Sequence, residues 1–433
     1  MLPSSASMWL RNRIFALSIA ACLLTGICLG QVDDFPSEAQ NSTVSGTTSL
    51  SPSFIILYDF GQGATTGGSP SGRLLRDSAG NLYGTGGGGS NNYGVVFKLS
   101  PALEETVLYY FKGQANGDGS YPWAGLVQDS QGNLYGTTSQ GGTYNYGTVF
   151  KLTPSGDETV LHSFSGPPDG ATPAAELLLD SAGNLYGTTS GGGTGCSNPY
   201  GASGCGTVFE VSAAGLETVL YRFTNSPDGA FPMAGLVRDA AGNFYGTTSA
   251  GGNVFARDTA LGTVFRLTPQ GKETVLYRFK GGSVSDGQNP RSTLVWDASG
   301  NLYGTTLEGG PKGWGTVFKL SPTGAETTLY SFPANSTDGK SPEAGVVRDS
   351  AGNLYGTALI GGRMAQCVNE GCGIAFKLSP TGQETVLHRF SWSMKDGCQP
   401  TASLILDAKG NLYGTTPFCG GSSGGGSVFK IRP

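Results

Sequence analysis

The nine-residue string DSAGNLYGT occupies residues 77–85 and returns unchanged at 180–188 and at 349–357. Its Asn recurs more widely, as Asn81, Asn133, Asn184, Asn243, Asn301, Asn353 and Asn411, seven copies spaced 51 to 59 residues apart. An Asp stands ahead of each (Asp77, Asp129, Asp180, Asp239, Asp297, Asp349, Asp407). Repeats of this length mark solenoids or propellers. One full unit, 118–164, reads DGSYPWAGLVQDSQGNLYGTTSQGGTYNYGTVFKLTPSGDETVLHSF.

Four strand-like runs stand out in that unit: AGLVQ, NLYGTT, GTVFKL and ETVLHSF, each short and rich in Val, Leu, Thr, Tyr or Phe. Turn chemistry separates them. In D-x-x-G-N the Asp accepts backbone N–H bonds and the Gly takes positive φ, and P-S-G-D serves the last hairpin. Four antiparallel strands per unit, seven units and no helical period predict an all-β, seven-bladed β-propeller. The ends of the repeat array are complementary. FIILYDF at 54–60 is a lone fourth strand, whereas the last unit stops after a third strand, GSVFKI at 426–431. Pairing the two closes the ring and covers an edge strand that would otherwise be bare. In each blade, Tyr83 and its equivalents are expected between adjacent sheets, and Gly84 and its equivalents where backbones approach closely.

Of the 433 residues, 72 are Gly, 13% are charged and 38% are hydrophobic. Gly-rich chains without a collagen period tend to disorder, but the Tyr, Phe and Leu content here supplies a core. Arg11 and Arg13 precede an apolar run, Ile14 to Leu29, with a small-residue cleavage point at Gly30-Gln31. Residues 1–30 therefore read as a signal peptide, 31–53 as a flexible polar leader and 54–433 as the propeller. Ile19-Ala20-Ala21-Cys22 resembles a lipoprotein box only weakly, because Cys22 lies inside the apolar run. The mature chain then carries 24 basic against 31 acidic residues. It has no basic stripe for nucleic acid and no membrane span. A secreted, periplasmic or cell-surface monomer is expected. Six Cys remain, in near pairs: Cys196 with Cys205, Cys367 with Cys372, and Cys398 with Cys419. In an exported chain these read as disulfides, and without CxxC pairs no metal or other cofactor is assigned.

Spacing separates the two faces of the disc. The Phe of GTVFKL lies 14 residues before the Phe that ends the fourth strand in all six complete cases. Each Asp of the D-G pair lies 15 residues before the following Asn in all six copies. Length varies only between the fourth strand and D-G, and in the Gly-rich loop between the second and third strands. Both emerge on one face, and variable loops on a rigid scaffold are where binding resides. That face collects Tyr121, Trp123, Tyr144, Tyr146, Tyr200, Phe231, Phe255, Trp314, Trp392 and Phe418. Two readings stand: the rings stack on a glycan or peptide, or they cover their own loops. The Asp of D-G-x-x-P (Asp118, Asp169, Asp228, Asp286, Asp338, Asp396, with Thr66 in the first unit) is either a ligand-binding ring near the channel mouth or a turn initiator. No D-x-D-x-D-G calcium loop accompanies it. Glu105 and its equivalents, beside Lys98 and its equivalents, read as cross-strand charge pairs.

Catalysis has little to draw on. Only two His occur, His162 and His388, both at the Tyr position of the outermost strand. No G-x-S-x-G or H-E-x-x-H motif is present. Few acids fall outside the repeated positions: Glu176, Asp258, Glu308, Glu343 and Glu370. No catalytic residue is assigned. The expectation is an exported binding scaffold for a glycan or a protein, the alternative a polysaccharide hydrolase or lyase at the channel mouth.

The unit GNLYGTT…GG…GTVFKL.P.G.ETVLYSF resembles the GloVer (Gloeo/Verruco) tandem repeat of bacterial exported proteins over about 54–433. The resemblance implies a secreted or surface-attached propeller. The D-x-x-G-N-L-Y element is also similar to the second-strand entry of NHL and gluconolactonase-like propellers, whose metal ligands have no counterparts here.

Overall fold

The computed structural model describes residues 52–61, 67–89, 91–196, 203–252, 261–282, 285–334, 337–362, 371–393, 396–420 and 424–433. The signal and leader expected at 1–30 and 31–53 lie outside these, save that Ser53 already belongs to the first strand, Ser53–Asp59. Among the described residues helix is confined to short 3₁₀ turns such as Gln114–Asn116. Seven antiparallel sheets follow one another, blade 1 within 75–110, blade 2 within 127–163, blade 3 within 178–222, blade 4 within 237–278, blade 5 within 295–331 and blade 6 within 347–389. Blade 7 combines 405–432 with Ser53–Asp59. The innermost strand of each blade is only two residues long, such as Val127–Gln128 in blade 2.

The recurring string is now legible residue by residue. The Asp77 carboxylate accepts the backbone N–H of Asn81 at 2.8 Å, its side-chain amide at 2.7 Å and the Tyr83 hydroxyl at 3.1 Å. The same box closes the first hairpin in every blade, as at Asp297, Asn301 and Tyr303. Gly80 has φ +89°, the left-handed geometry the turn needs. Gly84 is required for another reason: a Cβ there would stand 2.5 Å from Cζ of Phe97 on the neighbouring strand. A side-chain ring, rather than the backbone expected from sequence, fills that space. Thr85 donates across to the Ala124 carbonyl of the next blade at 2.7 Å. The second Thr of YGTT pairs within its blade, Thr138 with Thr148 at 2.7 Å.

The core is distributed between blades. Seven clusters of buried side chains each span one junction, for example Tyr83, Val96 and Phe111 of blade 1 with Leu126, Leu134 and Phe150 of blade 2. At every seam a Phe ending one blade meets the third-strand Phe of the next edge-to-face, as in Phe111–Phe150 (5.1 Å) and Phe223–Phe265 (5.1 Å). Such pairs add about 0.5–1.5 kcal/mol each beyond the area they bury.

Closure follows the expected plan. Ser53–Asp59 pairs antiparallel with Ser427–Arg432, with Phe54 opposite Ile431, Ile55 opposite Lys430 and Ile56 opposite Phe429. Phe60 then meets Phe97 of blade 1 at 4.9 Å, so one segment completes blade 7 and supplies the aromatic of the last seam. Cys196–Cys205 and Cys398–Cys419 are disulfides. Cys372 is also disulfide-bonded, and its expected partner Cys367 lies outside the described residues.

Deleting residues 54–60 leaves blade 7 three-stranded and removes Phe60 from the last seam, so the variant is expected to self-associate and to melt at lower temperature. Light scattering that finds monomer with an unchanged melting point refutes closure by this segment. Gly136→Ala places a Cβ 2.8 Å from the Phe150 ring, with an expected loss of about 1–3 kcal/mol in urea unfolding.

Candidate functional site

On the face of variable loops the D-G element of four repeats becomes a short extra strand laid against the Gly-rich loop. Gly67–Pro70 does so in the first repeat, and in the fourth and seventh the contact is a single bridge, Ala230–Ala250 and Cys398–Phe418. Gly119–Ser120 pairs with Gln140–Gly141, Gly170–Ala171 with Gly191–Gly192, and Gly339–Lys340 with Ile360–Gly361. The chain then turns towards the axis at a residue held in the left-handed region, immediately before a Pro. These residues are Ser69 (φ 44°), Tyr121 (58°), Thr172 (55°), Phe231 (57°), Asn289 (59°), Ser341 (55°) and Gln399 (55°). Each donates its backbone N–H to the carbonyl two residues before the third strand of the preceding blade, as Tyr121 does to Tyr93 O at 2.7 Å. A left-handed conformation costs a non-Gly residue about 1–2 kcal/mol, and such costs gather at functional positions. All seven are part-exposed. The backbone is the same in each blade while the displayed side chain differs.

The aromatic residues expected here divide into two groups. Trp123 (45% exposed) stands beside Tyr121 with ring centroids 6.2 Å apart, and Tyr144 is 56% exposed. Tyr146 lies over Gly166. Trp314 packs against the core between blades 5 and 6, beneath the Lys340 ammonium at 4.3 Å. Trp314 is thus part of the loop framework, whereas Tyr146 remains 37% exposed. Tyr200, Phe255, Asp258 and Glu370 lie outside the described residues.

The six Asp of D-G gather at the outermost strands and form no ring around a common ion at the mouth. Asp118 accepts the Tyr109 hydroxyl at 2.9 Å, the Lys112 N–H at 2.7 Å and the Gly119 N–H at 2.5 Å. Asp228 and Asp286 accept Tyr221 and Tyr277 at 2.8 Å each, and Asp338 accepts Tyr330 at 2.6 Å. At the two His positions, His162 reaches Asp169 at 3.3 Å and His388 reaches Asp396 at 3.0 Å. Strand twist of roughly 20–25° per neighbour also brings the first Glu of the next blade's outermost strand into this cluster, so Glu158 lies 3.5 Å from the Tyr109 hydroxyl. The charge pairs expected between Glu105 and Lys98 and their equivalents are not formed among the described residues. The Lys instead lie over Tyr rings of their own blades, Lys98 over Tyr83 at 5.9 Å and Lys430 over Tyr413 at 5.2 Å.

A belt of aromatic–Asp–Glu clusters thus runs around the disc, and its two irregular members are instructive. Where Thr66 replaces Asp, Glu105 itself accepts Tyr58 (3.2 Å) and the Gly67 N–H (3.1 Å). Where the closing strand has no Glu, Phe54 occupies that position and stacks on His388 with centroids 3.6 Å apart. Sequence reading missed the belt because its members come from adjacent units. The available signal was His or Tyr ending one unit, Asp opening the next, and Glu in that next unit's last strand.

At the axis, Arg73 of blade 1 reaches past blade 2 to Glu176 of blade 3 at 3.1 Å. A Cβ on Gly125 would lie 3.3 Å from both side chains, so Gly is needed there. Arg291 and Glu343 of the neighbouring blades 5 and 6 pair at 3.6 Å. These account for three of the acids that fall outside the repeat pattern together with Glu308, which accepts the Gln288 amide at 2.9 Å.

The Gloeobacter/Verrucomicrobia repeat matches the chain over 37–198, 89–296, 194–394 and 258–433. None of the curated proteins is similar to it in sequence. Among solved structures, a streptogramin B lyase is similar in fold, with TM-score 0.56 and 11% identity over 88% of this chain and 97% of that one. Virginiamycin B lyase from Staphylococcus aureus gives 0.56 and 11%, over 88% and 99%. The extracellular domain of a one-component system from B. thetaiotaomicron gives 0.54 and 13%, over 88% of this chain and 40% of that one. At such identities the likeness is one of fold.

The two carboxylate sets oppose each other in pH. Burial alone would raise Asp297, but the bonds from Asn301, Tyr303 and Ser299 hold it at about 2, and the other six hairpin Asp are lowered for the same reasons. Their stabilisation is present above the ordinary carboxylate range and is lost as pH falls towards 2. Burial, and then the charges of Asp118, Asp228 and Asp338, push Glu158, Glu273 and Glu384 up to about 7. Their contribution is present below the ordinary value of 4.5 and is lost as pH rises through about 7. Urea unfolding should therefore show maximal stability at mildly acidic pH. Glu158→Gln should stabilise at pH 8 and be near neutral at pH 4, and an identical pH profile for variant and parent contradicts this reading.

Proposed function

The chain belongs to the Gloeobacter/Verrucomicrobia repeat family, and we propose that it acts outside the cytoplasm as a non-catalytic platform that binds a glycan on its variable face. The observation that carries this is the ring of left-handed residues. A backbone fixed by the same hydrogen bond to the preceding blade displays a varied set of part-exposed side chains around the face, with only Ser recurring, at Ser69 and Ser341. The Tyr121–Trp123 pair supplies aromatic faces of the kind that stack on sugar rings, and the neighbouring Ser69 and Thr172 supply hydroxyls. Disulfides within the loops of this face support a destination in an oxidising compartment. No helix among the described residues is long and apolar enough to cross a membrane.

The charged groups at the axis are paired with one another, Glu176 with Arg73 and Glu343 with Arg291. Screening the full chain on a glycan array, followed by calorimetry on the best hit, tests the reading. Saturable binding without cleavage is expected, with Trp123→Ala weakening it about tenfold or more. Shortened oligosaccharides would establish the hydrolase or lyase alternative. Binding that is confined to protein partners, or that ignores Trp123, overturns the glycan assignment.

A further inference from the structure

The belt contains its own controls, because the same three positions are filled at successive seams by different residues. At four seams a Tyr hydroxyl donates to the Asp, with a Glu alongside; at one the Asp is replaced, and at one the Glu is replaced by Phe54. Between blades 2 and 3 all three positions carry groups that ligate metals: His162, Asp169 and Glu217. Their ligand atoms lie within 4.8 Å of one another.

We propose that His162, Asp169 and Glu217 form a binding site for one divalent transition-metal ion of the zinc class, stapling blade 2 to blade 3 at the rim. The donor set of one imidazole nitrogen and two carboxylate oxygens suits such an ion. His162 Nε2 and Asp169 Oδ2 are 3.3 Å apart. That is close to the roughly 3.4 Å between neighbouring ligands of a tetrahedral ion with bonds near 2.1 Å. Two ligands are oriented by their surroundings. Asp169 is gripped by the N–H groups of Ser165 and Gly170, and the His162 ring packs edge-on against Phe164 at 4.8 Å. Glu217 has an oxygen to give, since its Oε1 is shielded from solvent and makes no hydrogen bond. Glu158, Glu273 and Glu384 share that feature, but at those seams the third group is a Tyr hydroxyl, which gives its proton to the Asp and offers no imidazole nitrogen. Arg222, the nearby cation, has its Nε committed to the Pro168 carbonyl at 2.8 Å. Coordination needs only a modest approach by Glu217 and leaves a fourth position for water.

The test uses the full chain without an affinity tag, stripped of metal and titrated with Zn²⁺ by calorimetry and with Co²⁺ by visible absorption. One equivalent per chain is expected, with a rise in melting temperature. His162→Tyr introduces the residue present at five of the other six seams and should keep the fold while weakening binding about tenfold or more. Glu217→Gln should act likewise, and His388→Tyr should leave binding unchanged. No saturable uptake below millimolar Zn²⁺, or uptake that survives both His162→Tyr and Glu217→Gln, overturns the site.

Discussion

Each blade has two apolar faces and too little substance to bury either alone, and the architecture follows from that constraint. A sheet of four short strands reaches stability only against neighbours on both sides, so the sequence must provide a complementary partner at every junction, including the last. Seven edge-to-face Phe contacts meet that need, each rooted in a third strand whose ring lies over the Gly of LYGT. The nine-residue string recurs because the junction recurs. Its Asp, Asn and Tyr set the hairpin, its Gly admits the Phe, and its Thr ties one blade to the next. Six seams carry that Thr bond; in blade 7 the buried Thr415 hydroxyl has no hydrogen-bond partner. The seam that joins the chain's two ends therefore depends more heavily on Phe60 and on the paired strand Ser53–Asp59.

Fixing the seams frees the variable face. The connections inside the hairpins keep constant length because they set strand register, whereas the loops over the D-G strands can lengthen without disturbing any junction. The left-handed residues occupy the boundary between these regimes, with backbone fixed by the frame and side chains part-exposed, although Phe231 also packs against the core between blades 3 and 4. The belt shows the same separation at the rim. Its usual form is a Tyr hydroxyl on an Asp beside a protonatable Glu, and departures at Thr66, Phe54 and His162 are absorbed without altering the blades.

Much of this was legible in the sequence. The blade number, the strand order and closure by the amino-terminal segment follow from spacing and from the mismatch between FIILYDF and GSVFKI, both of which are local signals. Tyr83 at the seam was foreseen for the same reason. What the sequence hid was how side chains meet across strands and between units. Gly84 accommodates an aromatic ring from the adjacent strand, and Glu105 and Glu158 face the preceding blade instead of the Lys of their own hairpin. His162 joins Glu217 only because sheet twist swings one outermost strand against the next. Trp314 was grouped with Trp123 and Tyr146 because all three lie near variable loops, and only packing distinguishes a ring beneath Lys340 from rings left exposed.

The central claim is that the amino-terminal strand is an integral member of blade 7. Native-state hydrogen exchange measures it most directly. The account predicts that the amides of Ser53–Asp59 that face Ser427–Arg432 exchange as slowly as those of Phe429 and Ile431 and open in the same cooperative step. Exchange of the amino-terminal amides at rates typical of an unstructured chain, with Phe429 and Ile431 still protected, would contradict it.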